Sequence, residues 1–203
     1  MSAASQTARE PRYVRQFAEI LEAIGPRAFK KRYPTPALVG FGLFGAIEQA
    51  KGRRTHKVQD NDDLQAIQSL LDRVWFVRRR VSSGSEWITL GQDSDNDIVI
   101  AEYTLSSRHC AFAWRKGRYA LADLGSLNGT KAGSQFLPPR QPMLIHDGQH
   151  LTLGRIQMLF FDADGFIEHL QGGKPILPVT ERGSGGVAPP LPPRRRQGTT
   201  RRQ

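Results

Sequence analysis

LGQDSDNDIVIAEYTLSSRHCAFAWRKGRYALADLGSLNGT, residues 90–130, decides how this chain is built. Short apolar or alternating runs are separated at close intervals by Gly, Asn, Asp and Ser. That rhythm suits brief strands joined by tight turns, not helices. The same rhythm continues on both sides. Strands are expected at Val74–Arg79, Glu86–Leu90, Asp97–Ile100, His109–Trp114, Arg118–Asp123, Met143–Ile145, His150–Leu153 and Ile156–Asp162. Lys116-Gly117 and Asp147-Gly148 supply hairpin-type turns, because glycine reaches positive φ without steric cost. Many short strands with regular turn signals predict a mainly β fold, an antiparallel β-sandwich over residues 73–164.

The period changes upstream. Residues 1–72 read as a helical N-terminal extension. Tyr13, Val14, Phe17, Ile20, Leu21 and Ile24 recur at helical spacing, and Gly25-Pro26 is expected to stop the run. Leu64, Ile67, Leu70 and Leu71 repeat the pattern behind Asp60–Asp63, acids that suit a helix N-terminus. Between them Ala37–Phe41 is expected to be a strand. Downstream, residues 171–203 are rich in Pro, Gly and Arg and have little apolar surface to offset ordering entropy. A disordered basic tail is expected there.

Charge and composition narrow the function classes. The 203 residues carry a formal charge of +10, but residues 73–165 hold 11 Lys/Arg against 9 Asp/Glu, while residues 166–203 hold 7 against 2. The central region is nearly balanced, so nucleic-acid contact, if any, belongs to the tail. A single cysteine, Cys110, excludes an internal disulfide and any zinc site built on several cysteines. The longest apolar run, Ala37–Ile47, is too short to cross a bilayer as a helix. A soluble, cytoplasmic protein without cofactor or metal is expected.

Four segments taken in order, LGQDSDNDIVI (90–100), LSSRHC (105–110), LADLGSLNGT (121–130) and LIHDGQHLTLGR (144–155), resemble the forkhead-associated (FHA) domain family. The resemblance implies a β-sandwich whose loops at one end dock a phosphothreonine segment of a partner. It also implies a non-enzymatic adaptor role in Ser/Thr kinase-linked signalling. Ser106 matches the family's phosphate-binding serine, Ser107 sits at the neighbouring donor position, and Asn128 matches the asparagine that holds the bound peptide's backbone. Gly91, His109 and Gly129 match positions that shape the site. Two residues depart from the pattern. Gln92 stands where an arginine is usual, and Leu127 where a small polar residue is common. Gln92 keeps amide donors but lacks the charge and fork of a guanidinium. Arg108 and Lys131 are candidate replacements for that charge. The departures are the evidence for an alternative reading, a degenerate FHA domain with a phosphate-independent structural or assembly role, and a second alternative is a nucleic-acid-associated regulator that uses the basic tail.

Other motifs take a structural explanation. Ser106, His109 and Asp123 are the residue types of a hydrolytic triad, yet there is no G-x-S-x-G elbow and no oxyanion site, so no catalytic residue is assigned. Gly40-Phe41-Gly42-Leu43-Phe44-Gly45 has dinucleotide-loop spacing without a βαβ unit around it, and reads as an apolar segment packed closely on a neighbour. Pro189–Arg194 spells P-x-x-P-x-R, which Pro/Arg-rich tails produce easily. Asn96 and Asp97 are expected to organise their loop through side-chain-to-backbone bonds.

Overall fold

The computed structural model describes residues 12–43, 68–80, 85–115 and 117–172. The expected disordered tail, its P-x-x-P-x-R motif and most of the second expected helix lie outside these residues. Of that helix, Gln68–Leu70 is described and is helical.

The elements in order are α1 (Val14–Arg32), β1 (Ala37–Leu43), β2 (Val74–Phe76), β3 (Ile88–Gly91), β4 (Ile98–Val99), β5 (Cys110–Arg115) and β6 (Arg118–Asp123). They continue with β7 (Thr130–Ala132), β8 (Gln135–Phe136), β9 (Met143–Ile145), β10 (Gln149–Leu153), β11 (Ile156–Phe161) and α2 (Ala163–Leu170). Two sheets face each other: a six-stranded one in the order β2-β1-β11-β10-β7-β8 and a five-stranded one in the order β4-β3-β5-β6-β9. All pairings are antiparallel except β3 with β4. Between the sheets Leu38, Leu90, Phe112, Leu121, Leu151, Leu153, Ile156 and Phe160 form the main core.

The first sheet is also covered on its outer face. Ala37, Val39, Leu159 and Phe161 alternate with inward Leu38 and Phe160 and pack under Phe17, Leu21 and Phe29 of α1 and Phe166 and Ile167 of α2. Two-sided burial explains the unbroken apolar runs ALV and MLFF, since neither face has to be polar. Phe17 touches Tyr33, Phe76 and Phe166 edge-on at 5.4, 5.4 and 5.8 Å. Each such ring buried contributes about 1.5–3 kcal/mol.

Several expectations change. The helix does not stop at Gly25-Pro26. Gly25 leaves helical geometry at φ 75°, and α1 resumes through Pro26 to Arg32. Proline is tolerated there because the first turn of the resumed helix has no acceptor for an N–H. The Ala37–Phe41 strand forms and extends to Leu43, between β2 and β11. The expected boundary at residue 73 therefore falls inside one sheet. Gly40 explains the glycine-rich spacing. A Cβ there would lie 2.2 Å from the Leu70 carbonyl oxygen, and Gly40 exchanges backbone bonds with Asp72 and Arg73. The strands expected at Val74–Arg79 and Asp97–Ile100 shorten to Val74–Phe76 and Ile98–Val99. β7, β8 and α2 were not expected. Among the described residues no helix is long and apolar enough to cross a membrane.

Candidate functional site

Three loops meet at one end of the sandwich: β3–β4 (92–97), β4–β5 (100–109) and β6–β7 (124–129). Backbone bonds join the first two. Gln92 N–H donates to the Ser106 carbonyl at 3.1 Å and Asp93 N–H to that of Ser107 at 3.2 Å. This closeness requires a glycine at 91, where a Cβ would lie 2.2 Å from the Ser107 oxygen and 2.9 Å from the Arg108 Cα. The buried Asn96 amide donates to the Asp93 and Ser107 carbonyls at 2.8 and 2.7 Å. Asp97 accepts from Thr89 N–H at 2.9 Å and Arg80 N–H at 3.0 Å.

The third loop is folded around Asp123. Its carboxylate accepts from the Gly125 and Ser126 N–H groups and from the Ser126 and Thr130 hydroxyls, at 2.5–3.0 Å. Burial pushes its pKa upward, but these four bonds favour the carboxylate more strongly, and the net shift is downward. The Ser126 hydroxyl in turn accepts from Gly129 N–H at 3.0 Å.

His109 joins the second loop to the third from a fully buried position. Its Nδ1 accepts from Ser106 N–H at 3.1 Å, and its Nε2 faces the Gly129 carbonyl at 3.1 Å. An N–H can only donate and a carbonyl can only accept, so the ring is neutral with its proton on Nε2. Burial lowers its pKa, outweighing the upward pull of the Gly129 carbonyl, Asp123 and Glu102. Both nitrogens are engaged by backbone, so neither is placed to take a proton from Ser106 Oγ. That hydroxyl instead accepts from Leu127 N–H at 3.0 Å. Cys110 beneath is fully buried, and burial with Asp123 nearby holds its thiol well above the usual range.

The candidate residues fall as follows. Gln92, Ser106, Ser107, Leu127 and Asn128 come together through these loop contacts. Asn128 Nδ2 donates to the Thr104 carbonyl at 2.7 Å. The Gln92 amide donates to the Glu102 carbonyl. Arg108 is exposed on the same loop, and Leu127 stands 89% exposed at the tip. Lys131 sits lower, on β7, with its ammonium 4.6 Å over the Phe136 ring.

Sequence reading missed the anchor of the second loop. Arg155 and Glu102 form an ion pair at 2.7 Å, each side chain only 4% exposed. Glu102 also accepts from Thr104 N–H at 2.8 Å and from the Thr104 hydroxyl, while Arg155 N–H donates to that hydroxyl at 3.1 Å. Tyr103 covers the guanidinium at 4.4 Å. Gln92 and Asn128 both donate to carbonyls of this segment, so its position sets theirs. Among the described residues no group of three or more His, Cys, Asp or Glu could hold a metal ion.

A rigid sandwich presenting hydroxyl, amide and backbone groups on cross-linked loops defines a ligand-docking module. Residues 88–154 match the model of the FHA domain family, and the chain carries an FHA domain there. It is similar to the oxoglutarate dehydrogenase inhibitor of Corynebacterium efficiens, 29% identical over 105 residues, covering 49% of this chain and 69% of that protein. It is also similar to the glycogen accumulation regulator GarA of Mycolicibacterium smegmatis, 28% identical over 90 residues, covering 41% of this chain and 55% of GarA. Against the Corynebacterium glutamicum inhibitor the match spans 61% of the relative, less than two thirds of its length. Among solved structures, the FHA domain of an Arabidopsis thaliana hypothetical protein aligns with a TM-score of 0.42 at 21% identity, covering 63% of this chain and 85% of that one.

Proposed function

We propose that this chain is a non-catalytic, cytoplasmic adaptor whose loop end docks a phosphothreonine segment of a partner in a Ser/Thr kinase-linked pathway. The observation that carries the reading is the set of donors and acceptors left over once the loops are tied. Ser106 Oγ accepts from Leu127 N–H, which leaves its own proton for a phosphate oxygen. Asn128 uses one N–H on Thr104, which leaves its oxygen and a second N–H to pair with an extended peptide backbone. Ser107 and Arg108 are exposed beside them. The similar proteins bear the names of an inhibitor and a regulator, which suits a role in control.

The phosphate-independent alternative has its own support. Position 92 offers a neutral amide, one N–H of which is held by the Glu102 carbonyl, and Asp93 and Asp95 are exposed on the same loop. Binding to a degenerate phosphothreonine peptide library beside unphosphorylated controls separates the readings. The adaptor reading expects retention that requires phosphate and falls in Ser106→Ala. Equal retention of both libraries would transfer the assignment to the alternative.

A further inference from the structure

The phosphate site lacks a guanidinium at position 92, while a dense set of guanidiniums lies on the flank beside it. A groove of about 500 Å³ runs between the outer strands of the two sheets, β2 and β4. Arg12, Arg78, Arg79 and Arg80 line it, with Asp97 as its one acidic residue. Asp97 is held by three neutral donors, Thr89 N–H, the Thr89 hydroxyl and Arg80 N–H, and keeps its charge, but four arginines outnumber it and the lining is net positive. Arg78, Arg79 and Arg80 are all exposed. Its floor is Phe76, with the Arg78 guanidinium 6.0 Å from the ring centroid.

A further observation points to an extended occupant. Both strands are sheet edges. Val77 N–H donates to Pro36 and Gly40 N–H to Arg73, a register that turns the Val74 and Phe76 N–H groups to the outer edge of β2, where the Arg12 carbonyl takes Val74 N–H and Tyr13 bridges Arg73. The groove is continuous with the candidate site, because the Arg80 guanidinium donates to the Ser94 carbonyl at 3.0 Å and Ser94 belongs to the loop that begins at Gln92.

We infer that this arginine-lined groove binds an acidic, extended segment of the same partner that supplies the phosphothreonine, on the side of the peptide that passes over the β3–β4 loop. The inference rests on the phosphothreonine reading of the loop end. The groove provides the attraction for negative charge that position 92 does not, and it selects partners whose phosphothreonine is flanked by Asp or Glu on one side. Exposed arginine–carboxylate pairs are individually weak and salt-sensitive, so the effect depends on several acting together.

The test uses the whole chain and three phosphothreonine peptides: one with neutral flanks, one with a run of glutamates before the phosphothreonine, and one with the run after it. Unphosphorylated versions of each are included. One glutamate-flanked phosphopeptide should bind about tenfold more tightly than the neutral one at low salt, the yield of roughly two exposed ion pairs. Arg78→Ala with Arg79→Ala should erase that gain and leave the neutral phosphopeptide unaffected. Arg78→Lys should keep most of it, which separates loss of charge from loss of fold. If phosphopeptides bind but neither flank helps, or the gain survives the double substitution, the inference is overturned and the adaptor reading stands. If only unphosphorylated glutamate peptides bind, and the double substitution abolishes that, the groove keeps its acidic ligand and the phosphothreonine reading falls. If no peptide binds, both are overturned.

Discussion

At position 92 the structure gives a physical reason to expect a weakened site. The glutamine amide donates to the Glu102 carbonyl, so at most one N–H remains for a ligand, and it carries no charge. Gln92→Arg should strengthen binding of a phosphothreonine peptide by about 1–2 kcal/mol, the difference between neutral and charge-assisted bonding. Titration calorimetry with phosphorylated and unphosphorylated forms reads this directly, and the unphosphorylated form should gain nothing. His109 makes a separate prediction. Its folded pKa lies below its ordinary value of 6.5 because burial disfavours the cation. The unfolded chain therefore binds more protons below that pH, and stability is complete above about pH 6.5 and falls as pH drops. His150 and His169 are shifted the same way by burial and act in the same direction. His109→Ala should lower stability at neutral pH by about 1–3 kcal/mol through two unsatisfied loop groups. It should also flatten the decline of melting temperature on acidification. An unchanged slope would show that His109 is not the buried titrating group.

At the scale of elements, α1 is part of the folded unit. It and α2 cover the outer face of the sheet that contains β1 and β11. Phe17→Ala should therefore destabilise the β-sandwich itself by about 3–5 kcal/mol and lower one cooperative unfolding transition followed by tryptophan fluorescence. A sandwich transition that stays in place while helicity is lost first would mean the helix is only appended. The sequence made this hard to see. Ala37–Leu38–Val39 is apolar at every position because both faces are covered, and the period-two signal of a strand disappears. α2 was missed for a different reason. Gly165 is a poor helix former, and it packs against the Asp147 carboxylate, which a Cβ there would meet at 1.9 Å and displace. One signal was available, Asp162 in the N-cap position, accepting from Asp164 and Gly165 N–H groups. The motif segments are short and local: Gly91 ends β3, and Ser106, His109 and Asn128 lie in the loops that meet at that end of the sandwich. Glu102 and Arg155 were not legible in the sequence, because a buried pair separated by 53 positions leaves no local pattern.

At the scale of the whole molecule, the proposed function requires the loop end to be a phosphate-selective peptide site that the rest of the fold holds in place. Nuclear magnetic resonance titration of the full chain with a phosphothreonine peptide and its unphosphorylated twin tests this most directly. Saturable backbone shifts are expected for Gln92, Ser106, Ser107, Leu127 and Asn128 with the phosphopeptide only, reduced in Ser106→Ala, while α1 and the outer face of the first sheet stay unmoved. The same shifts with both peptides, or shifts confined to other surfaces, would contradict it.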